Sequence, residues 1–88
     1  MVESVNIAKK LSLFNTHWDP KLVGELNGQE VKVVKLKGEF VWHDHKDADE
    51  LFLVIKGHLI VHFRDKDVYV EEGDLIIIPK GVEHKPAL

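Results

Sequence analysis

Apolar positions in this chain recur at spacings that favour short β-strands. Two β-rich runs at residues 20–26 and 29–36 are separated by Asn27 and Gly28, the residue pair most typical of a two-residue hairpin turn. Polar or glycine-containing segments divide the rest of the chain into short apolar runs. These runs predict further strands at residues 39–43, 51–56, 58–64, 68–71 and 75–79.

One segment near the N-terminus has a helical spacing. Val5, Ala8 and Leu11 lie three residues apart, so residues 4–14 favour a short helix with Ser4 as a candidate cap. Several short strands with at most one helix indicate an all-β fold, an antiparallel sandwich, jelly roll or barrel. Because no repeat, linker or low-complexity segment is present, we expect residues 1–88 to form a single domain.

Two of the predicted strands are apolar on both faces. In residues 50–56, Phe52 and Val54 share a face with Glu50, and the opposite face is also apolar. Residues 75–78 repeat this pattern. In an antiparallel sheet such strands need cover on both sides, and one short helix is too small to supply it. A homodimer is the expected solution, and a terminal segment folded over the sheet is the alternative.

Length, composition and charge restrict the class of protein. A domain of 88 residues buries only about 60 to 65 % of its unfolded surface, which is a second reason to expect self-association. The absence of cysteine excludes disulfides and zinc–thiolate sites and fits a reducing cytoplasm. No apolar run is long enough for a signal peptide or a membrane span. The net charge of −3, without a basic stripe, disfavours nucleic acid as a partner.

The candidate chemistry lies in three histidines and one glutamate. His43 and His45 are two residues apart, so both side chains leave the same face of an extended strand. A polar link at residues 46–49 allows Glu50 to return beside them. His84 can join the site only if the strand at 75–79 runs next to the strand that carries His43 and His45. Three imidazoles and one carboxylate form a ligand set for a divalent transition metal such as Fe, Mn, Ni, Zn or Co. An ion that accepts six ligands then keeps two positions for water, substrate or dioxygen.

Simpler interpretations apply to several of these residues. A His-x-His pair alone is often two surface histidines, and the remaining histidines have no partner at metal-ligand spacing: His17, His58 and His62. Trp42 has the opposite parity to His43, which favours packing, and Asp44 and Asp49 are expected to be solvated loop carboxylates. Phe52 and Val54 are expected to line the cavity beside Glu50.

Two motifs carry a resemblance to a known family. The first, at residues 38–57, contains Trp42-His-Asp-His-Lys-Asp-Ala-Asp-Glu50, and the second, at 73–84, has glycines and a proline ahead of His84. They resemble the two motifs of the cupins, and in particular of small single-domain, mannose-6-phosphate isomerase-like cupins with a WHxHxxxDE core. The spacing before His43 is one residue shorter than in the family. Leu88 stands where the family has asparagine, which suggests that the chain ends just after the second motif.

The resemblance implies a jelly-roll barrel with a metal held by His43, His45, Glu50 and His84. Similar cupins include isomerases and dioxygenases, so a metal-dependent enzyme acting on a small oxygenated molecule is the first expectation. A non-catalytic cupin that binds a sugar or anion, or a purely structural metal site, is the alternative. The fold alone does not choose among these functions.

Overall fold

The computed structural model describes residues 2–88, which form one short helix and seven β-strands. All strand pairings are antiparallel, and this confirms the predicted all-β class. Backbone contacts group the chain into two compact units, one ending at Lys37 and the other spanning Gly38–Leu88. The organisation of residues 1–88 as a single domain stays a prediction.

The first unit begins with helix α1 (Ile7–Leu11). It is shorter than predicted, and its cap is Asn6, whose side-chain oxygen accepts a hydrogen bond from the Lys9 N–H at 2.9 Å. Asn6 takes this position because its oxygen satisfies an N–H that has no partner within the helix. Among residues 2–88, no helix is both long and apolar enough to cross a membrane.

Strands β1 (Lys21–Leu26) and β2 (Gln29–Val33) form the predicted hairpin. The turn residues Asn27 and Gly28 have φ angles of 50° and 77°. A type I′ turn needs positive φ at both central positions, and asparagine followed by glycine adopts this conformation at the lowest cost. The hairpin prediction is therefore confirmed.

The second unit contains five strands in two sheets. Strand β3 (Glu50–Leu53) pairs with β6 (Leu75–Ile78). The other sheet has β4 at its centre, flanked by β5 and β7, and its strands are β4 (His58–Phe63), β5 (Asp67–Glu71) and β7 (His84–Ala87). The core of the second unit is formed by buried apolar side chains from both sheets, among them Leu59, Val61, Val70, Ile78 and Ala87.

The two faces of the β3–β6 sheet differ sharply in burial. Residues directly opposite each other in an antiparallel pair lie on the same face, so the inner face carries Ile78 beside Glu50 and the outer face carries Ile77 beside Leu51. Ile78 is 2 % exposed, whereas Ile77 is 59 % exposed. Both faces are apolar, as the sequence predicted, but only the inner face is covered.

The prediction of a continuous strand at residues 39–43 is wrong. Only Glu39 and His43 form bridges, with Ala87 and His84 respectively. Three residues lie between Glu39 and His43, whereas only two lie between their partners on the other strand. The segment therefore carries one extra residue, as in a β-bulge. Its partner β7 was not predicted, because a four-residue segment that contains Pro86 has little strand signal.

Candidate metal centre

The four predicted ligand residues come together in the second unit. One nitrogen or carboxylate oxygen from each residue lies within 4.8 Å of the corresponding atom of every other, and the group is His43, His45, Glu50 and His84. Ligand atoms around one ion, at about 2.0 to 2.2 Å from it, are separated by up to roughly 4.4 Å. The 4.8 Å bound is close to this limit, so the four residues could hold a single transition-metal ion after a small inward adjustment.

Main-chain hydrogen bonds fix the distance between His43 and His84. The His43 N–H donates to the His84 carbonyl at 3.0 Å, and the His84 N–H donates to the His43 carbonyl at 2.9 Å. The centroids of the two imidazole rings lie 4.3 Å apart. Because the extra residue between Glu39 and His43 shifts the register, it sets His43 directly opposite His84.

The same two imidazoles are oriented by backbone carbonyls. The Nδ1 atoms of His43 and His84 lie 2.9 Å from the carbonyl oxygens of Val41 and Val82, in each case two residues earlier in the chain. A carbonyl oxygen only accepts, so each Nδ1 carries the hydrogen and donates it. Each Nε2 then has a lone pair available for an ion, and this arrangement is typical of metal-binding histidines.

Glu50 faces two histidines, one with each oxygen. Its Oε1 lies 3.2 Å from Nε2 of His84, and its Oε2 lies 3.2 Å from Nε2 of His45. In His84 the Nδ1 hydrogen is already donated to Val82. A neutral His84 would therefore direct a lone pair at a carboxylate oxygen, and this contact is favourable only with a positive charge between the atoms, either a proton or a metal ion.

The four residues differ in their access to solvent. The His84 side chain is 1 % exposed, whereas the side chains of His45 and Glu50 are 44 % and 29 % exposed. The group is thus buried on the His84 side and reachable from solvent on the His45 side. Structural zinc sites are closed, whereas catalytic sites keep an accessible position.

Two hydrogen bonds join the loop before β7 to the segment that carries His45. The Gly81 N–H donates to the His45 carbonyl at 2.8 Å, and the Lys80 N–H donates to Oδ1 of Asp49 at 2.9 Å. Asp49 is exposed in a loop, as expected, and its carboxylate also accepts this backbone hydrogen bond. Nothing in the spacing of an acidic residue within a polar loop predicts such a contact.

Trp42, in the segment next to the ligands, is half-buried and packs against a cationic side chain, as its parity predicted. The guanidinium carbon of Arg64 lies 3.8 Å from the centroid of the Trp42 ring. Nearby, the Lys85 ammonium lies 2.7 Å from the Glu39 carboxylate. This hydrogen bond, with the charge of Lys85, lowers the pKa of Glu39, and His62 adds a smaller effect. Both contacts hold residues 39–43, one to the residue that follows β4 and the other to β7.

The remaining predicted site residues have less specific surroundings. Phe52 and Val54 are half-buried, and Phe52 shares the inner face with Glu50. Their role as cavity-lining residues stays a prediction. His62 pairs with Asp67 at 2.6 Å. Within residues 2–88, the group of candidate ligands does not include the other three histidines: His17, His58 and His62.

Apolar side chains surround the ligands on the sheet faces that carry them. The strand residues that share a face with Glu50 or His84, by direct or successive pairing, are Phe52, Ile76, Ile78, Leu59, Val61, Phe63, Val68, Val70 and Pro86. None of these nine residues is charged. Among the described strand residues on these faces, the ionisable groups are therefore two candidate ligands, Glu50 and His84.

Comparison with known proteins agrees with the geometry. The family model "Cupin domain" matches residues 29–88. The chain is 41 % identical over 64 residues to a protein of Bacillus subtilis (strain 168), "Uncharacterized protein YdbB", covering 72 % of this chain and 57 % of that protein. It is 38 % identical over 56 residues to "Acireductone dioxygenase 4" of Arabidopsis thaliana, covering 58 % of this chain and 29 % of that protein. The chain thus spans less than two thirds of either relative.

Two crystal structures show the same fold. A cupin-2 domain containing protein from Shewanella frigidimarina is 49 % identical, with a TM-score of 0.92 over 94 % of this chain and 81 % of that one. A protein from Neisseria meningitidis is 29 % identical, with a TM-score of 0.90 over 98 % of this chain and 88 % of that one. Both likenesses support the all-β cupin fold. With the family model matching more than half of its residues, the chain belongs to the cupin family.

Proposed function

We propose that this protein is a metal-dependent enzyme that acts on a small oxygenated molecule. In this proposal His43, His45, Glu50 and His84 bind one divalent transition-metal ion, Fe, Mn, Ni, Zn or Co. The supporting observation is that one donor atom of each of these residues lies within 4.8 Å of the others, with Nε2 of the buried His84 3.2 Å from a Glu50 oxygen. A metal ion between these two atoms would accept a lone pair from each.

A bound ion would polarise an oxygen atom of the substrate or bind dioxygen. The protein would contribute orientation and exclusion of water. The carbonyls of Val41 and Val82 keep the imidazoles of His43 and His84 in one tautomer and one orientation. The half-exposed side of His45 leaves a path for a small molecule.

The surroundings of the ligands favour one class of substrate. A phosphorylated sugar, the kind of substrate suggested by mannose-6-phosphate isomerase-like cupins, needs cationic or amide groups to hold its phosphate. The nine strand residues that share faces with Glu50 and His84 are all uncharged. They favour a compound without phosphate that binds through its own oxygens and apolar contacts. The likeness to an acireductone dioxygenase supports an oxygenase over an isomerase.

The alternative is a non-catalytic cupin in which the ion holds a small ligand or joins two segments of the chain. The purely structural version is disfavoured by the exposure of His45 and Glu50, since structural sites are closed to solvent. The main-chain bonds between His43 and His84 also join those segments without an ion. A binding module that takes a sugar or anion stays the second candidate.

Oxygen consumption distinguishes these candidates. Protein purified without a metal-affinity column would be stripped with chelator, reloaded separately with each of the five metals, and tested in an oxygen electrode with enediols and dicarbonyl compounds. An enzyme should give metal-dependent turnover that is lost in His45→Ala. Stoichiometric binding of these compounds by calorimetry, without oxygen uptake or product, would instead support the binding module.

A further inference from the structure

The first unit contains a groove that takes no part in the candidate metal centre. The groove has a volume of about 280 Å³ and is lined by residues from α1, from the segment after it and from both strands of the β1–β2 hairpin. Its apolar wall is formed by Leu13, Phe14, Leu22, Val23 and Val33. We call it the hairpin groove. Every residue that lines it belongs to the first unit.

A β-bulge shapes the side of the hairpin groove that β1 supplies. The register of the hairpin shifts between Leu22 and Gly24, so Val23 has no pairing partner in β2. A regular strand would direct Lys21 and Val23 to one face and Leu22 to the other, yet all three line the groove. The bulge breaks the alternation, and bulges commonly re-aim side chains beside functional sites.

Two apolar residues of the hairpin groove remain in contact with solvent. Leu13 is 70 % exposed and Leu22 is 52 % exposed, whereas Val33 of the same groove is 9 % exposed. Exposed apolar surface bordered by polar residues is typical of ligand-binding grooves. A ligand with an apolar body would cover both leucines.

Lysine side chains border the apolar wall. Lys10 and Lys21 line the groove, and the Lys35 ammonium lies 5.0 Å from the centroid of the Phe14 ring. Lys21 is paired with the Asp19 carboxylate at 2.8 Å, and Lys35 donates to the Phe14 carbonyl at 2.6 Å. Among the residues that the structure describes, Lys10 forms no ion pair. Lys10 is therefore the cation available to a ligand.

The charge of the first unit also favours an anion. This unit contains six lysines and four acidic residues, a net charge of +2. The second unit contains six cationic and eleven acidic residues, a net charge of −5. The groove thus belongs to a basic unit of an acidic chain, and the field of such a unit attracts anions.

We propose that the hairpin groove binds a small amphipathic carboxylate. Its apolar body packs on the wall that contains Leu13, Phe14 and Leu22, and its carboxylate pairs with Lys10. Mostly apolar walls with a few placed polar groups are typical of small-molecule sites. At the packing density of a protein interior, about 0.75, the groove holds roughly 200 Å³ of ligand atoms. A single-ring or short alkyl body therefore fits.

A titration of ¹⁵N-labelled protein with 4-phenylbutyrate, followed by NMR, tests the proposal. We expect shifts at the residues of the groove and a Kd of about 1 mM, as for a fragment-sized ligand. The neutral 4-phenylbutyramide has the same apolar body and should bind about 5-fold more weakly, because it lacks the ion pair.

Two pairs of variants separate the charge from the apolar wall. Lys10→Gln should weaken binding of the acid about 5-fold and leave binding of the amide unchanged. Lys9→Gln is its control, since it removes the same charge from α1 outside the groove. Leu22→Ser should weaken binding of both compounds about 5-fold. Leu26→Ser is its control, because Leu26 is also on β1 and 57 % exposed but does not line the groove.

The amide spectrum of each variant shows whether it is folded. The absence of saturable shifts up to about 10 mM, or equal binding of the acid and the amide, overturns the proposal. A carboxylate could also coordinate an ion at the candidate metal centre, so the titration is repeated with His45→Ala. Unchanged binding in that variant supports a separate groove and makes the result independent of the proposed function. Loss of binding there overturns the proposal.

Discussion

His43 and His84 lie 41 positions apart in the chain, yet each donates its backbone N–H to the carbonyl of the other, at 3.0 and 2.9 Å. This reciprocal pairing holds two candidate ligands together through the main chain, whether or not an ion is bound. The side chains add a second constraint, because each imidazole donates its Nδ1 hydrogen to a carbonyl two residues earlier. The candidate site is therefore organised by the chain itself, which would lower the entropic cost of binding an ion.

The first prediction separates the candidate ligands from the other histidines. His43→Ala, His45→Ala and His84→Ala should each lower metal affinity by at least about 100-fold, because each removes a bond to the ion. Isothermal titration of chelator-stripped protein measures the change. His17→Ala is the control and should bind like the wild type. A His62→Ala variant that loses as much affinity as His84→Ala would contradict the assignment of His62 to the pair with Asp67.

The second prediction concerns Asp49, whose carboxylate accepts the Lys80 N–H at 2.9 Å. Asp49→Ala should weaken metal binding by about 10-fold, because the loop before His84 loses one of its ties to the ligand segment. Asp49→Asn keeps an oxygen acceptor and should recover most of the affinity. Asp47→Ala is the control, because Asp47 is an exposed carboxylate in the same loop. An equal loss in Asp49→Asn would show that the charge, and not the hydrogen bond, is what the site needs.

The third prediction compares two glycines. Gly81 has a φ of 80° and Gly24 has no positive φ, although a Cβ at either position would meet no atom within 4 Å. Gly81→Ala should therefore lower the free energy of unfolding by about 1 kcal/mol through backbone strain alone. Gly24→Ala should change it by less than about 0.5 kcal/mol. Urea denaturation measures both values, and equal effects would argue against the left-handed conformation of Gly81.

The fourth prediction concerns acid. Imidazole binds a metal ion only as the neutral base, so metal affinity should fall as the solution is acidified from about pH 7.5 to pH 5. Dialysis at each pH followed by elemental analysis measures the retained metal. Circular dichroism at the same pH values separates loss of metal from loss of fold. Full retention at pH 5 would argue against a site built from three histidines.

Sequence reasoning was most accurate where a short pattern has one structural meaning. The Asn27-Gly28 turn is such a case, because few residue pairs adopt two positive φ angles in succession. The convergence of His43, His45, Glu50 and His84 also followed from the spacing of the two motifs, which pointed to the cupin family. Strands β3 and β6 were correctly expected to carry apolar residues on both faces.

Features that depend on distant contacts were not predictable. The extra residue between Glu39 and His43 is defined only by how this segment pairs with β7. Strand β7 was not predicted because it is short and contains Pro86. The hydrogen bond from Lys80 to Asp49 joins residues 31 positions apart, and no local pattern specifies it.

The metal content of the wild-type protein tests the central claim most directly. Protein expressed without a histidine tag and purified without a metal-affinity column would be analysed by inductively coupled plasma mass spectrometry. Its metal content would be compared with that of His84→Ala, whose mutated side chain is 1 % exposed in the wild type. We predict about one transition-metal ion per chain in the wild type and a marked loss in the variant. A wild-type protein that contains no such ion and takes up none of the five metals in titration would contradict the claim.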